Sequence, residues 1–210
     1  MSGEPPSPRT RRWSVRDLVY LAIFGALWGG LEVSLGSYLH VVRVPLTGLI
    51  MASSGLLLAL VGRLFVPQRG SVAMIGLVTA LLKMLSLGGV VLNPMIGILA
   101  ESALAEAVLV LWARPARGAF VLAGAAGVLW VFFHPFLTQG LLAGQGLITV
   151  YGRVLASGAQ LLGLASGAVG AILISLLALH AGTGAVAGLL AWEVGRAVQR
   201  RIQPGGENAQ

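Results

Sequence analysis

ALLKMLSLGGVVLNPMIGILAESALAE, residues 80–106, joins two apolar runs through a Gly-Gly pair and an Asn-Pro step. This pattern predicts a hairpin of two membrane helices, one ending near Leu87 and the next beginning near Pro94. Lys83 and Glu101 lie inside these apolar runs, where a charge costs several kcal/mol unless it is paired and usually marks a substrate or ion path. At about 1.5 Å per residue, Lys83 lies ~6 Å and Glu101 ~10 Å below the turn, so the two side chains could meet.

The composition indicates a polytopic membrane protein. The 210-residue chain is 57% hydrophobic and 10% charged, whereas soluble domains hold about 25% charged residues. At about 20 residues per span plus loops, the length allows roughly six helices. The absence of cysteine excludes disulfides, thiolate metal sites and cysteine nucleophiles. A net charge of +7 does not indicate nucleic-acid binding, because no residues remain for a soluble basic domain.

The apolar runs predict an all-α fold with six transmembrane helices. The predicted spans are residues 17–39, 45–65, 71–87, 95–112, 118–138 and 165–190. The stretch 139–164 has mixed polarity and is expected to lie at the membrane interface or to fold over the site as a lid. The apolar run 160–198 is too long for one span, which predicts either one helix bent near Gly182 and Gly184 or two segments.

The two ends of the chain differ in composition from its centre. Residues 1–12 are rich in Pro and Ser and then basic, and they predict a disordered cytoplasmic tail, as do residues 202–210. Residues 13–201 form the predicted six-helix membrane domain. Ser14 followed by Asp17 predicts a capping box that opens the first helix.

The basic residues predict the orientation of the spans. Most arginines fall in the predicted cytoplasmic segments: Arg9, Arg11, Arg12, Arg16, Arg63, Arg69, Arg114, Arg117, Arg196, Arg200 and Arg201. Only Arg43 and Arg153 fall in the opposite loops. The positive-inside rule therefore predicts two cytoplasmic termini and an even number of spans.

Polar side chains on four predicted helices reach a similar depth below the outer face. Glu32 lies ~10 Å short of the outer surface of a ~30 Å hydrocarbon core, level with Lys83 and Glu101. The predicted substrate-binding residues are Glu32, Lys83, Asn93, Glu101, Trp130 and His134, with Trp28 and Phe133 as further aromatic candidates for stacking on a ring. The alternative is a purely structural ion pair between Lys83 and Glu101, which gives the other polar residues no role.

Three further polar residues stand apart from this group. Glu106 lies ~8 Å deeper than Glu101 and about 140° round the helix, so it faces elsewhere. Either a structural hydrogen bond or a role in coupling would explain it. His40 and His180 are expected at the interface or in helix packing. With no cysteine and no paired His/carboxylate spacing, no metal site is expected.

Small residues form stripes that allow another helix to approach closely. Ala22, Ala26 and Gly30 repeat every four residues in the first helix, with Gly25 and Gly29 beside them. The last segment repeats the pattern with Gly163, Gly167, Ala171, Gly184 and Gly188. Such a stripe docks a partner or packs inside the chain, and internal packing is expected for at least one of them.

Several motifs resemble the substrate-binding (S) components of energy-coupling factor transporters. They are Ala22-x-x-x-Ala26, the basic loop with Arg69-Gly70, and the segment Gly88-Gly89…Asn93-Pro94-Met95…Glu101. The resemblance covers most of residues 13–201. It implies a six-helix subunit of the cytoplasmic membrane that captures a vitamin or metabolite from outside and docks on a membrane scaffold (T) subunit and two ATPases. It also implies that Ala22 and Ala26 face the scaffold and that outer loops roof the pocket.

The residues themselves favour a capture subunit. This subunit is predicted not to be an enzyme and to have no cofactor. No nucleotide-binding P-loop is present, so the work would come from partner chains. The two carboxylates of Glu32 and Glu101 outnumber the one ammonium group of Lys83. This balance favours a neutral or cationic heterocycle as the ligand, such as a thiamine-type or pyrimidine compound. Two alternatives remain open: a small membrane enzyme with Glu101 or His134 as acid/base, and a self-sufficient ion-coupled carrier with Glu106 as the titrating group.

Overall fold

The computed structural model describes residues 12–42, 44–85 and 92–202, and within these ranges it consists of helices and short connections, without strands. Its helices are α1 (Val15–Val41), α2 (Thr47–Phe65), α3 (Ser71–Met84), α4 (Leu92–Val110), α5 (Arg117–Pro135), a π-helical segment (Phe136–Leu142), α6 (Leu147–Leu162) and α7 (Val169–Ile202). Five helices are long and apolar enough to cross a membrane: α1, α2, α4, α5 with its π-helical extension, and α7. The predicted terminal tails and the Gly-Gly pair lie outside the described residues.

The boundaries of α1, α2, α4 and α5 lie close to those of the predicted spans, whereas α3, α7 and the stretch after α5 differ. The last span was predicted to end at residue 190, but α7 ends at Ile202. Helix α3 has 14 residues and ends at Met84, so it rises only ~21 Å. The stretch 139–164 forms the end of the π-helical segment and the separate helix α6. Helix α7 is continuous over 34 residues from Val169 to Ile202. The apolar run 160–198 is therefore divided between the end of α6 and α7, and α7 itself continues through Gly182 and Gly184 without a break.

The predicted capping box at the start of α1 is confirmed. The Ser14 backbone N–H donates to Asp17 Oδ2 at 2.9 Å, and the Asp17 N–H donates to Ser14 Oγ at 3.2 Å. Asp17 Oδ2 also accepts a hydrogen bond from Gln68 Nε2 at 2.8 Å. The cap therefore stabilises the helix end and ties it to the α2–α3 connection.

Glycines bring α5 and α7 into backbone contact. A Cβ atom added at Gly124 would clash with the carbonyl of Gly184, and one at Gly188 would clash with the carbonyl of Phe120. Because Phe120 meets Gly188 while Gly124 meets Gly184, the two helices run antiparallel. The glycine stripe of the last segment therefore packs inside the chain at this point, as close small-residue contacts between membrane helices allow.

Trp28 belongs to the core, where α1 crosses α2, and not to a ligand site. Its side chain is fully buried, and a Cβ atom added at Gly55 would overlap its indole ring. The expectation that Trp28 stacks on a ligand is therefore wrong. Phe133 faces outward and is 46% exposed, so of the three aromatic candidates only Trp130 lies beside the predicted site.

Candidate functional site

The predicted site residues of α4 and α5 meet at Gly97. A Cβ atom added there would lie 3.5 Å from Glu101 Oε1 and 3.6 Å from His134 Nε2. His134 Nε2 lies 3.1 Å from the carbonyl oxygen of Asn93, and because a carbonyl only accepts, Nε2 donates this bond. Trp130 lies one turn before His134, with the two rings edge to face at 6.2 Å. We call Asn93, Glu101, Trp130 and His134 the open cluster.

The polar atoms of the open cluster are incompletely satisfied by the chain. Asn93 Oδ1 and Trp130 Nε1 are buried without a hydrogen-bond partner, and among the described residues only Trp28 Nε1 shares this condition. Glu101 is 7% exposed, and no side-chain or backbone donor within the described ranges contacts its carboxylate. Buried polar groups without partners cost about 1–3 kcal/mol each. Asn93 Oδ1, Trp130 Nε1 and the Glu101 carboxyl group are thus left without a partner among the described residues.

Lys83 pairs with Glu32 and not with Glu101. The Lys83 Nζ atom lies 3.7 Å from Glu32 Oε2 and donates to the Glu32 carbonyl oxygen at 3.2 Å. The reason is that α3 runs alongside α1 in the same direction, which brings the two residues level. Glu101 instead faces α5, where it lies with His134 beside Gly97.

The parallel course of α1 and α3 rests on two glycines. A Cβ atom at Gly25 would lie 2.6 Å from Val78 Cγ1, and one at Gly29 would lie 3.1 Å from Leu82 Cδ1. These glycines therefore face inward and allow the two helices to approach closely. They occupy the face of α1 that leads towards the Lys83–Glu32 pair.

The other small-residue stripe of α1 faces outward. Ala22, Ala26 and Gly30 are exposed, and nothing lies within 4 Å of a Cβ atom added at Gly30. The predicted docking residues thus form a face that no described residue of the chain covers.

Glu106 forms a structural cluster at the opposite end of α4. Its Oε1 atom accepts from the Gly70 N–H at 2.7 Å, and its Oε2 atom accepts from the Val72 N–H at 2.9 Å. These donors are the free N–H groups at the start of α3, which has no side-chain cap of its own. Arg63 Nη1 lies 3.3 Å from Glu106 Oε1 and donates to Ser71 Oγ at 3.1 Å. Of the two roles considered for Glu106, the structural hydrogen bond is the one observed. We call these residues the closed cluster.

A ligand-sized cavity lies on the other face of α5. It has a volume of about 720 Å³ and is bounded by the α1–α2 connection, α5, the π-helical segment, α6 and α7. None of the six predicted substrate-binding residues lines it. His180 does: it is buried, and its Nδ1 atom donates to the Leu176 carbonyl at 2.7 Å. The expected packing role of His180 is observed together with this position, whereas the His40 side chain lies outside the described residues.

The cavity could not be foreseen from residue types, because it forms where α6 folds against α7. One signal was present: Arg153 is an arginine on the side of the membrane that the charge pattern leaves nearly free of them. Within the part of the chain that the structure describes, no three His, Asp or Glu side chains converge as ligands for a metal ion.

No protein-family model, curated protein or solved structure matches the chain. The five long apolar helices define its class, a helical multi-pass membrane protein.

Proposed function

We propose that the chain is the substrate-capture (S) subunit of an ATP-driven importer of the energy-coupling factor type. It takes up a small vitamin-like or heterocyclic nutrient across the cytoplasmic membrane. The observation that carries the proposal is the open cluster: Asn93 Oδ1 and Trp130 Nε1 are buried without a hydrogen-bond partner, and the 7% exposed Glu101 lies with His134 beside Gly97. Unsatisfied groups of this kind are expected where a ligand completes the hydrogen bonds.

The open cluster suits a ring that carries hydrogen-bond donors. Glu101 and Asn93 Oδ1 accept from ring or exocyclic N–H groups, and Trp130 Nε1 donates to a ring nitrogen or oxygen. His134 remains fixed by its bond to the Asn93 carbonyl. Glu32 and Lys83 complete the site as an ion pair whose charges balance, so the uncompensated Glu101 favours a neutral or cationic ligand.

The exposed face of α1 supports docking on a scaffold subunit. Ala22, Ala26 and Gly30 leave the backbone accessible to another helix. Contact with lipid does not require small side chains, whereas close contact with another helix does. The chain contains no nucleotide-binding motif. Energy for transport therefore comes from two ATPase subunits that act through the scaffold.

The membrane topology in this proposal has six spans, with α3 as the shortest and α6 lying at the outer interface. Both termini are cytoplasmic, as the arginine distribution favours. Single cysteines at the exposed positions Ala143 and Ala197 test it, since the native chain has no cysteine. An impermeant maleimide added outside spheroplasts should label Ala143→Cys and spare Ala197→Cys. Labelling of Ala197→Cys from outside contradicts the six-span topology.

Ligand binding by the purified chain alone tests the proposed function. Radiolabelled B vitamins and pyrimidines are presented singly to the chain in phosphatidylcholine nanodiscs. Saturable, one-to-one binding of one compound is expected, without ATP and without partner subunits. Uptake into proteoliposomes should require the scaffold and the ATPases. Uptake by the chain alone, driven by a proton gradient, would identify a self-sufficient carrier instead.

A small membrane enzyme is the second candidate, and the meeting of Glu101 and His134 at Gly97 favours it. A carboxyl group and an imidazole that lie beside the same glycine can act as an acid/base pair on a substrate placed between them. The two functions differ in the isolated chain. Conversion of a bound compound by the purified protein, abolished in Glu101→Gln, supports the enzyme, whereas release of the compound unchanged supports capture.

A further inference from the structure

The cavity beside α6 combines an apolar interior with one fixed positive charge at its rim. Its volume of about 720 Å³ falls in the range of small-molecule sites, about 300–1,000 Å³. The apolar wall is built by Leu46, Val131, Phe132, Pro135, Val150, Val154, Leu161 and Leu176. Polar groups are few: Gln139, Arg153, Ser157, Gln160 and His180.

Arg153 carries the only formal charge among the lining residues, since none of them is Asp or Glu. Its side chain is exposed and is held by two glutamines. Nη1 donates to Gln139 Oε1 at 3.1 Å, and Nη2 donates to Gln145 Oε1. Neutral amide oxygens orient a guanidinium without cancelling its charge, and three of its five N–H groups remain for another acceptor.

The local backbone places Gln139 at this position. Pro135 has no N–H group, so the α-helical bond to the preceding turn is lost and the chain widens into the π-helical segment that contains Gln139. Gly144 and Gly146 then adopt positive φ angles of 67° and 82°, conformations that favour glycine. They turn the chain into α6, which carries Arg153 back over Gln139.

The interior of the cavity is suited to an apolar body. Phe132 is 9% exposed and Leu176 is 5% exposed, and both line the wall beneath Arg153. His180 Nδ1 donates to the Leu176 carbonyl, which leaves the Nε2 atom of the neutral ring as a hydrogen-bond acceptor. Beyond this acceptor and the amides and hydroxyl already named, the lining is hydrocarbon.

We infer that the cavity between α5, α6 and α7 is a second binding site, for a small amphipathic anion. The acidic group of the ligand, a carboxylate, sulfonate or phosphate, contacts Arg153 at the rim, and its apolar body lies against Phe132 and Leu176. Arginine is the side chain best suited to such groups, because its planar N–H groups match two oxygens at once. The cavity is lined by Val131, Phe132 and Pro135 of α5 and by no residue of the open cluster, and it does not depend on the proposed capture function.

A pair of fluorescent probes tests the site directly. Anilinonaphthalene sulfonate is a small aromatic anion, and N-phenylnaphthylamine has the same rings without the sulfonate. Both are titrated into the chain in phosphatidylcholine nanodiscs, with empty nanodiscs subtracted. The wild-type chain should bind the anion saturably, and Arg153→Gln should lower that affinity about tenfold. The affinity for the neutral probe should change less than twofold.

Matched variants separate charge from fold. Arg153→Lys retains the charge without the planar geometry and should give an intermediate affinity for the anion. Ser157→Trp fills the cavity and should weaken both probes. Arg200→Gln removes an exposed charge from the end of α7 and should change neither. Unfolding temperatures of all variants should stay close to that of the wild type.

Three results overturn the inference. One is an unchanged affinity for the anionic probe in Arg153→Gln. Another is an equal loss of affinity for the neutral probe in that variant. The third is displacement of the anionic probe by dihexanoyl phosphatidylglycerol but not by dihexanoyl phosphatidylcholine, which assigns the cavity to a lipid headgroup. Retention of the probe in the presence of both lipids supports a small soluble anion.

Discussion

Two glutamates of α4 show how differently the two ends of the protein treat a buried carboxylate. Glu101 and Glu106 are each 7% exposed. Glu106 accepts two backbone N–H groups of α3 and pairs with Arg63. Glu101 receives no donor from the described chain and lies near the Glu32 carboxylate.

The difference separates a structural from a functional group on physical grounds. A buried carboxylate with three donors stabilises the helices that supply them, and its loss leaves those donors unpaired. A buried carboxylate without donors is a cost to the folded state. It persists where another molecule supplies the missing contacts. The closed cluster therefore holds α2, α3 and α4 together, and we propose that the open cluster binds a ligand.

The largest loss of stability is expected from Glu106→Ala. The change leaves the buried Arg63 guanidinium without its counter-ion and the first N–H groups of α3 without an acceptor, at a cost of about 3–5 kcal/mol. Unfolding in mixed detergent micelles measures it. Glu106→Gln retains one acceptor oxygen and should lose less stability than Glu106→Ala. A loss below about 1 kcal/mol for Glu106→Ala contradicts the structural role.

A smaller loss is expected from Lys83→Met. The Lys83–Glu32 pair is 3.7 Å long and retains 14% and 11% side-chain exposure, so solvent screening limits the cost to about 1–2 kcal/mol. A double-mutant cycle identifies the partner. Coupling is expected between Lys83→Met and Glu32→Gln and not between Lys83→Met and Glu101→Gln. The reverse result restores the Lys83–Glu101 pair.

Trp130→Phe should leave stability unchanged or raise it by up to about 1 kcal/mol, because it removes a buried N–H that has no partner. Ligand binding by the same variant should weaken at least tenfold if the indole N–H contacts the ligand. Trp192→Phe is a matched control, since Trp192 packs on Phe120 at the other end of the molecule. A Trp130→Phe variant that is destabilised but binds the ligand normally would show that Trp130 has a structural role only.

The smallest change in stability is expected from Ala22→Leu combined with Ala26→Leu, within about 0.5 kcal/mol, because both positions are exposed. The substitutions should leave ligand binding intact but abolish uptake and co-purification of the scaffold. Gly25→Leu, on the inner face of the same helix, should instead disturb folding, since its side chain would clash with Val78. Normal uptake by the double variant removes the docking role of the stripe.

Much of the fold followed from apolar runs and breakers. The five long apolar helices were predictable because hydrophobic length and turn residues mark such helices directly. Ser14 and Asp17 gave the cap at the right position. The shortness of α3 was not predictable, because its last apolar residues continue the hydropathy of the helix beyond Met84. The continuity of α7 was only one of two alternatives, because Gly184, which resembles a breaker in the sequence, is a contact point with α5.

The open cluster could be predicted because depth along a helix follows from residue number. The ion-pair partner of Lys83 could not be predicted. Lys83 and Glu101 have similar depths, but the rotation of α3 towards α1 is fixed by Gly25 and Gly29, which pack on Val78 and Leu82. The cavity beside α6 depends on how an amphipathic helix folds back, and no local pattern in the sequence records that.

Native mass spectrometry of the wild-type chain and of Glu101→Gln tests most directly whether the open cluster binds a ligand. Both proteins are purified in detergent and incubated with the same vitamin and pyrimidine panel. The wild type should carry one small molecule that dissociates on collisional activation. Glu101→Gln should be at least as stable to unfolding and carry none, because its amide replaces one acceptor oxygen with an N–H donor. A wild type that carries nothing, or a variant that carries the same ligand equally well, contradicts the functional role of Glu101.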